Sequence, residues 1–213
     1  LKALVVSDIH YNHRFITWFK AECTNYDLVL LGGDIVMWAD REFFTSFYES
    51  LANSKCPIYY VRGNQDPPDT MVNQDSVICV EGRVVTHQGL RIAGLGGSNP
   101  TPFNTPYELS DEEAEERLKA LTSPIDILIS HTPPYGTRCD RPANREHAGS
   151  LPVRRFVERV RPRLVVCGHI HESRAIDYVG PTLILNPGAA VNNNYAVVEL
   201  APQPSAQLLK APP

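Results

Sequence analysis

The run Leu28-Val29-Leu30-Leu31-Gly32-Gly33-Asp34 constrains the fold more than any other stretch of the chain. Four consecutive apolar residues read as a short strand buried on both faces, as in a parallel sheet covered on each side. Two glycines then let the backbone turn sharply, so Asp34 projects at the carboxyl end of a central strand, where open α/β sheets place their ligands. Taken alone, an aspartate there equally suits a turn in which the side chain bonds its own backbone. Recurrence of the pattern separates the two readings.

Residues 2–6 form a second apolar run, which ends in Ser7-Asp8-Ile9-His10. In an extended segment, residues two apart share a face, so Asp8 and His10 are expected to converge. Residues 58–61 lead into Arg62-Gly63-Asn64-Gln65-Asp66, residues 125–129 deliver His131, and residues 164–167 deliver Gly168-His169-Ile170-His171. Five strand ends thus carry ligand-type side chains. Between them, Phe15, Ile16, Trp18, Phe19 and Cys23 fall at helical spacing, and Asp40 suits a cap ahead of a helix through Phe43, Phe47 and Leu51. Ser110 with Glu113 makes a capping box, and Ser150 caps a helix that reaches Arg161 before Pro162 stops it. Segments 77–80, 84–87 and 90–94 suggest an antiparallel meander. Residues 94–106, rich in Gly, Ser and Pro, form a long loop, either a lid over substrate or plain surface. Strands are expected again over 174–178, 182–185 and 195–200, and the Pro- and Ala-rich residues after them are expected to be loosely held.

With 213 residues, 43% of them hydrophobic and 21% charged, the chain can bury a substantial core, and residues 1–213 are expected to form one domain. A formal charge of −4 gives no general attraction to polyanions. The arginines gather at 138, 141, 145, 154, 155, 159, 161 and 163, where a helix can present most of them to solvent, so a nucleic-acid polymer is not an expected partner. Five cysteines without a Cys-x-x-Cys pair suit reduced thiols. No stretch approaches the ~18 apolar residues of a membrane span. The chain opens at Leu1 directly on a strand-like run without a signal-peptide pattern, and a cytoplasmic location with no membrane partner is expected.

Asp8, His10, Asp34, Asn64, His131, His169 and His171 together offer seven N or O donors, enough for two divalent ions. In chain order the motifs are Asp-x-His, Gly-Gly-Asp, Gly-Asn-x-Asp, a His after a strand, and Gly-His-x-His. From Val5 to Gly188 this order closely resembles the calcineurin-like metallophosphoesterases. The resemblance is strongest to small phosphodiesterase-like members in which His-x-Pro-Pro precedes His-x-Gly-Ser, here His147 to Ser150. It implies the metallophosphoesterase fold, a four-layer α/β sandwich of two packed mixed β-sheets flanked by helices. It also implies one ion on Asp8, His10, Asp34 and His171 and another on Asp34, Asn64, His131 and His169, with Asp34 as the bridge and an ion-bridged hydroxide as nucleophile. Mn²⁺ is the first ion to expect, and Fe, Ni²⁺ or Zn²⁺ also suit the mixed ligands. The implied activity is hydrolysis of a small phosphodiester, cyclic nucleotides included. Its alternatives are a phosphomonoesterase and a non-catalytic binding scaffold on the same fold, which metal analysis with a hydrolysis assay separates. Nothing in the sequence fixes the oligomeric state.

Gln65 departs from the family pattern. Most relatives carry a His there that contacts the phosphate and protonates the leaving group, whereas an amide can hydrogen-bond but cannot act as an acid. If Asp66 orients an imidazole placed at 65, Gln65→His restores that acid. His147 is the other source of the proton, or a substrate contact, unless it is only an exposed loop histidine. The catalytic candidates are therefore Asp34, Asn64, Gln65 and His147. Met37 and Trp38, just beyond the bridging aspartate, are expected to border the cleft, with Trp38 either stacking on a base or packed against its own helix.

Overall fold

Strands that are apolar on both faces need cover on both sides, and the chain provides it with two sheets and the helices outside them. The computed structural model describes residues 1–122, 124–143 and 146–212; Arg145 lies outside the described residues. In chain order the elements are β1 (Lys2–Val6), α1 (His13–Glu22), β2 (Leu28–Leu31), α2 (Arg41–Glu49), β3 (Ile58–Tyr60), β4 (Val77–Cys79), β5 (Val84–His87) and β6 (Leu90–Leu95). There follow α3 (Asp111–Lys119), β7 (Ile127–Ser130), α4 (Leu151–Val160), β8 (Leu164–Val166), β9 (Ala175–Val179), β10 (Thr182–Asn186), β11 (Asn194–Glu199) and β12 (Ser205–Lys210). One sheet has the order β12-β11-β1-β2-β3-β4 and the other β5-β6-β7-β8-β10-β9. The first is parallel from β1 to its β4 edge with β11 and β12 antiparallel at the other side, and the second has a parallel centre with an antiparallel strand at each margin, so both are mixed.

Alternate residues of each central strand divide between two layers. Ala3, Val5, Leu28 and Leu30 meet Ile127, Ile129, Val166 and Leu185 between the sheets. Leu4, Val6, Val29 and Leu31 face Phe15 and Phe19 of α1 and Phe44 and Tyr48 of α2. On the far side, Leu128, Val165 and Ile184 pack on Leu118 of α3 and on Val153 and Phe156 of α4. The result is the expected four-layer sandwich. Each buried Leu, Val or Phe contributes roughly 1.5–3 kcal/mol, so a polar side chain is tolerated only where a strand ends. Helix starts follow the sequence: Asp40 accepts from Phe43 N–H, Ser110 and Glu113 close a reciprocal box, and Ser150 accepts from Val153 N–H.

Two expectations fail. The meander is divided between the sheets, because β4 lies parallel beside β3 while β5 and β6 pair antiparallel in the other sheet. Val77 and Cys79 join the core under α1 and α2, and it is this burial, which strand propensity does not encode, that selects the partner. The chain after Leu200 is not loose either. Its β12 pairs with β11 from Asn194 opposite Lys210 to Glu199 opposite Ser205, and Ala206 and Leu208 pack against the core between the sheets. Alternation of small and apolar with polar residues outweighs the Pro and Ala around it.

Candidate active site

The parallel strands bring the carboxyl ends of β1, β2 and β3 against those of β7 and β8. Their loops are strained: Asp8, His10, Asp34 and His169 all have left-handed backbone, with φ of 58°, 41°, 54° and 65°. Such conformations cost of order 1–3 kcal/mol each in non-glycine residues and persist where the surroundings enforce them. Asp8 and His10 do converge, with His10 Nε2 3.9 Å from Asp8 Oδ1, but β1 has ended at Val6 and a turn brings them together rather than strand alternation. Asp66 enforces the turn at Asp34. Fully buried, it accepts from the backbone N–H of Gly63 and Asp34 at 2.8 Å each, Ile35 at 2.9 Å and Val36 at 3.2 Å. A side chain at Gly63 would collide with the Asp34 carboxylate, and one at Gly168 with Ser7 and Asp8.

Two groups of donors meet at Asp34. In the first, His171 Nε2 lies 3.3 Å from Asp8 Oδ1 and 3.2 Å from His10 Nε2, which is 3.8 Å from Asp34 Oδ2. In the second, His131 Nε2 lies 3.4 Å from Asp34 Oδ2 and 2.9 Å from Asn64 Oδ1, and His169 Nδ1 is 2.8 Å from the same Asn64 oxygen. Hydrogen-bond chemistry fixes the polarity of the second group. His131 Nδ1 must carry its proton because it faces the Gly32 carbonyl at 2.7 Å, so Nε2 of the neutral ring presents a lone pair. Asn64 is oriented from the 98–109 loop: Glu108 accepts from the Thr105 hydroxyl at 2.6 Å, and the Thr105 oxygen accepts from Asn64 Nδ2 at 2.9 Å. With the ring neutral, Asn64 Oδ1, Asp34 Oδ2 and His131 Nε2 are three acceptors turned on one another, an arrangement satisfied by a cation or by a second proton on His131. Asp8, His10 and His171 form a similar cluster of mutually close donor atoms. The mixed imidazole, carboxylate and amide set fits transition-metal dications.

Without bound ions the electrostatics respond to the same crowding. Burial disfavours the charged forms of Asp8 and His171, yet their mutual hydrogen bond prevails, holding Asp8 well below the usual carboxylate range and raising His171. Burial likewise opposes protonation of His131, but the adjoining Asp34 carboxylate lifts it to about 9. His169 falls to about 4 through burial and the nearby His131. Burial and the Asp34 charge push Asp66 up to about 7 against its four amide donors.

His10, Asp34, Asn64, Gln65, His147, His169 and His171 line one cavity of about 1050 Å³, while Asp8 and His131 are buried behind it. Gln65 braces the loop after Asp34: its N–H donates to Asp34 Oδ1 at 2.8 Å and its Oε1 accepts from Trp38 N–H at 3.0 Å. Met37 lines the cavity; Trp38, 62% exposed, does not. The 98–109 segment forms a wall of this cavity and is tied down by Tyr107 N–H donating to Asn64 O at 3.0 Å. His147 is no free loop histidine. Its Nδ1 lies 2.7 Å from Asp140, a carboxylate that the sequence reading missed, which is fully buried and also accepts from Gly136, Thr137 and Gly149 N–H at 3.0, 2.9 and 3.0 Å. The one sequence signal for Asp140 is its place three residues after Thr137, where the two close a capping box.

Comparison with known proteins adds sequence and fold likeness to this geometry. A family model described as calcineurin-like phosphoesterase matches residues 1–173. An uncharacterised protein of Methanocaldococcus jannaschii, MJ1162, is 37% identical over 170 residues, covering 76% of this chain and 77% of that protein. The 3',5'-cyclic adenosine monophosphate phosphodiesterase CpdA of Escherichia coli K12 is 26% identical over 191 residues, covering 83% of this chain and 68% of that enzyme. Among solved structures, TT1561 of Thermus thermophilus has the same fold, with a TM-score of 0.77 at 21% identity and 98% of each chain covered.

Proposed function

The chain belongs to the calcineurin-like phosphoesterase family, and on that premise we propose that it is a metal-dependent phosphodiesterase of small phosphodiesters, with cyclic nucleotides among the candidates. We assign one divalent ion to Asp8, His10, Asp34 and His171 and a second to Asp34, Asn64, His131 and His169, with Mn²⁺ ahead of Fe, Ni²⁺ and Zn²⁺. Ions held there supply an activated water and neutralise charge developing on the phosphate oxygens. The strongest support is the meeting of Asp34 Oδ2, Asn64 Oδ1 and His131 Nε2, a carboxylate, an amide oxygen and an imidazole nitrogen converging at one place, the mixed donor set of a transition-metal site.

The remaining chemistry falls to the chain's own side chains. Asp34 keeps Oδ1 on the Gln65 N–H, so Oδ2 is the oxygen offered to both donor groups. Gln65, with Oε1 engaged by Trp38 N–H, braces the site and gives up no proton. His147 takes the acid role: Asp140 accepts from Nδ1, which leaves Nε2 as the nitrogen that protonates the departing alkoxide and recovers its proton from solvent. A diester suits the cavity better than a monoester. Its lining among the described residues includes Asp111 and Glu172 and neither Lys nor Arg, so the second negative charge of a monoester meets carboxylates rather than a cation there. Water adds across one P–O bond, giving a monoester and an alcohol.

The test is a hydrolysis screen of phosphomonoesters, cyclic nucleotides and linear diesters with each of the four metals, alongside metal analysis of the parent and of Asp34→Asn. Diester turnover with two ions per chain is expected, and the variant loses both turnover and tight binding of at least one ion. Unchanged metal content and rate in Asp34→Asn sinks the shared-ligand assignment.

A further inference from the structure

A phosphate held at the donor cluster fills little of a cavity of about 1050 Å³, a volume at the upper end of those that enclose whole drug-sized ligands. The walls indicate what occupies the rest. Of the large apolar side chains left exposed among the described residues, Met37, Phe103, Tyr135, Leu151 and Val191 all line this cavity. Scattered exposed apolar groups need no explanation, but five around one concave site do. They come from the Asp34 loop, the 98–109 wall, the loop after β7, the start of α4 and the turn before β11. Among the described lining residues away from the donor cluster, the charged side chains are Asp111 and Glu172, both acidic.

Resting on the phosphodiesterase reading above, we infer that the second ester group of the substrate is bulky, apolar and uncharged, an alkyl or aryl substituent held by Phe103, Tyr135, Leu151, Met37 and Val191. The phosphate is the substrate's one anionic group. A second phosphate or a carboxylate on that substituent meets Asp111 or Glu172 as a like charge.

The experiment uses the full chain loaded with Mn²⁺ and a series of p-nitrophenyl phosphodiesters whose other ester group is methyl, phenyl, octyl or 2-phosphoethyl. Specificity kcat/KM is expected to rise about tenfold or more from methyl to octyl, through KM, and to fall below the methyl value for 2-phosphoethyl. Phe103→Ser and Leu151→Ser are each expected to cut the octyl-to-methyl ratio several-fold. Calorimetric binding of octylphosphonate against methylphosphonate to the same loaded protein reports the preference without turnover, and tighter octyl binding that either variant weakens is the expected result. A flat series, a gain with 2-phosphoethyl, or an octyl preference that neither variant reduces overturns the inference while leaving a phosphodiesterase in place. If no ester is hydrolysed with any metal, the phosphodiesterase reading fails, and the phosphonate pair still decides whether the cavity selects an apolar group.

Discussion

At Gln65 the side chain is spent on the backbone: Oε1 accepts from Trp38 N–H, and the residue's own N–H braces Asp34. A histidine there would need an orienting carboxylate, and Asp66 is already committed to four amides. His147 has such a partner in Asp140. Rates across a leaving-group series should therefore show a shallow dependence on leaving-group pKa in the parent protein. His147→Gln should steepen it, with alkyl leaving groups losing about 100-fold or more and aryl ones little. Asp140→Asn should move in the same direction, whereas Gln65→His should leave the slope nearly unchanged. A slope that responds to Gln65→His and ignores His147→Gln reverses the assignment. The seven donor residues were legible because each stands at a strand end in a recognisable motif. Asp66 was legible as the last residue of Gly-Asn-x-Asp but its work on four backbone N–H groups was not, and Asp140 was missed because its partners, including His147, are brought to it only by folding.

Among the elements, the 98–109 loop does the most to shape the site. Sequence left it as either a lid or plain surface, since Pro and Gly mark a loop without saying what it touches. In the fold it is pinned at both ends, with Ser98 N–H on Tyr107 O at 3.1 Å and Leu109 N–H on Ser98 O at 2.7 Å, and its interior is organised by Glu108, which takes the hydroxyls of Thr101 and Thr105. Burial and the hydrogen bonds that Glu108 takes from the hydroxyls and backbone of Thr101 and Thr105 act in opposite directions on it, and the bonds prevail, holding it below its ordinary value and hence ionised. Through Thr105 the loop sets which end of the Asn64 amide faces Asp34 and His131. Thr105→Val keeps the volume and removes the oxygen that Asn64 Nδ2 donates to. We expect metal affinity to fall by about 10- to 100-fold, as for other residues that orient a ligand, with an unchanged far-UV spectrum. Titration calorimetry with Mn²⁺ measures it, and parent-like affinity in Thr105→Val means that Asn64 is oriented by something else. The same contrast between pattern and contact explains β12: its alternation was present in the sequence, but only pairing with β11 gives it a place.

Over the whole molecule, the site is also the joint between the two sheets. Asp34 follows β2 of one sheet and His131 follows β7 of the other, and their contact at 3.4 Å is joined by the 2.7 Å bond from His131 Nδ1 to Gly32 O and by His169 N–H on the Asp8 carboxylate at 3.2 Å. Strand runs and their polar ends could be read from the sequence, but which ends oppose one another depends on the sheet each strand joins, a long-range property. The joint has a pH signature. Without metal, His131 has its pKa raised from 6.5 to about 9, so protonation of the folded state contributes stability that is fully present below the unfolded value and is lost as pH rises through about 9. Asp66 acts in the same direction at lower pH: its raised carboxyl withdraws stability as pH rises from its ordinary 3.8 to about 7, a process largely complete before His131 titrates. The buried thiols of Cys56 and Cys79, raised from 9.0 to about 12, withdraw stability as pH rises above about 9, at the upper edge of this window and beyond it. The melting temperature of metal-free protein should therefore fall between about pH 7 and about pH 9. On the proposed ligand assignment, saturation with a divalent ion should raise stability by about 2.7 kcal/mol at a hundred times its Kd and remove the slope, because an ion on His131 Nε2 would exclude the second proton across the range. His131→Asn should flatten the metal-free profile as well. A level profile in metal-free parent protein, or an equal fall with and without metal, means that the two sheets are held together elsewhere and that His131 serves the site alone.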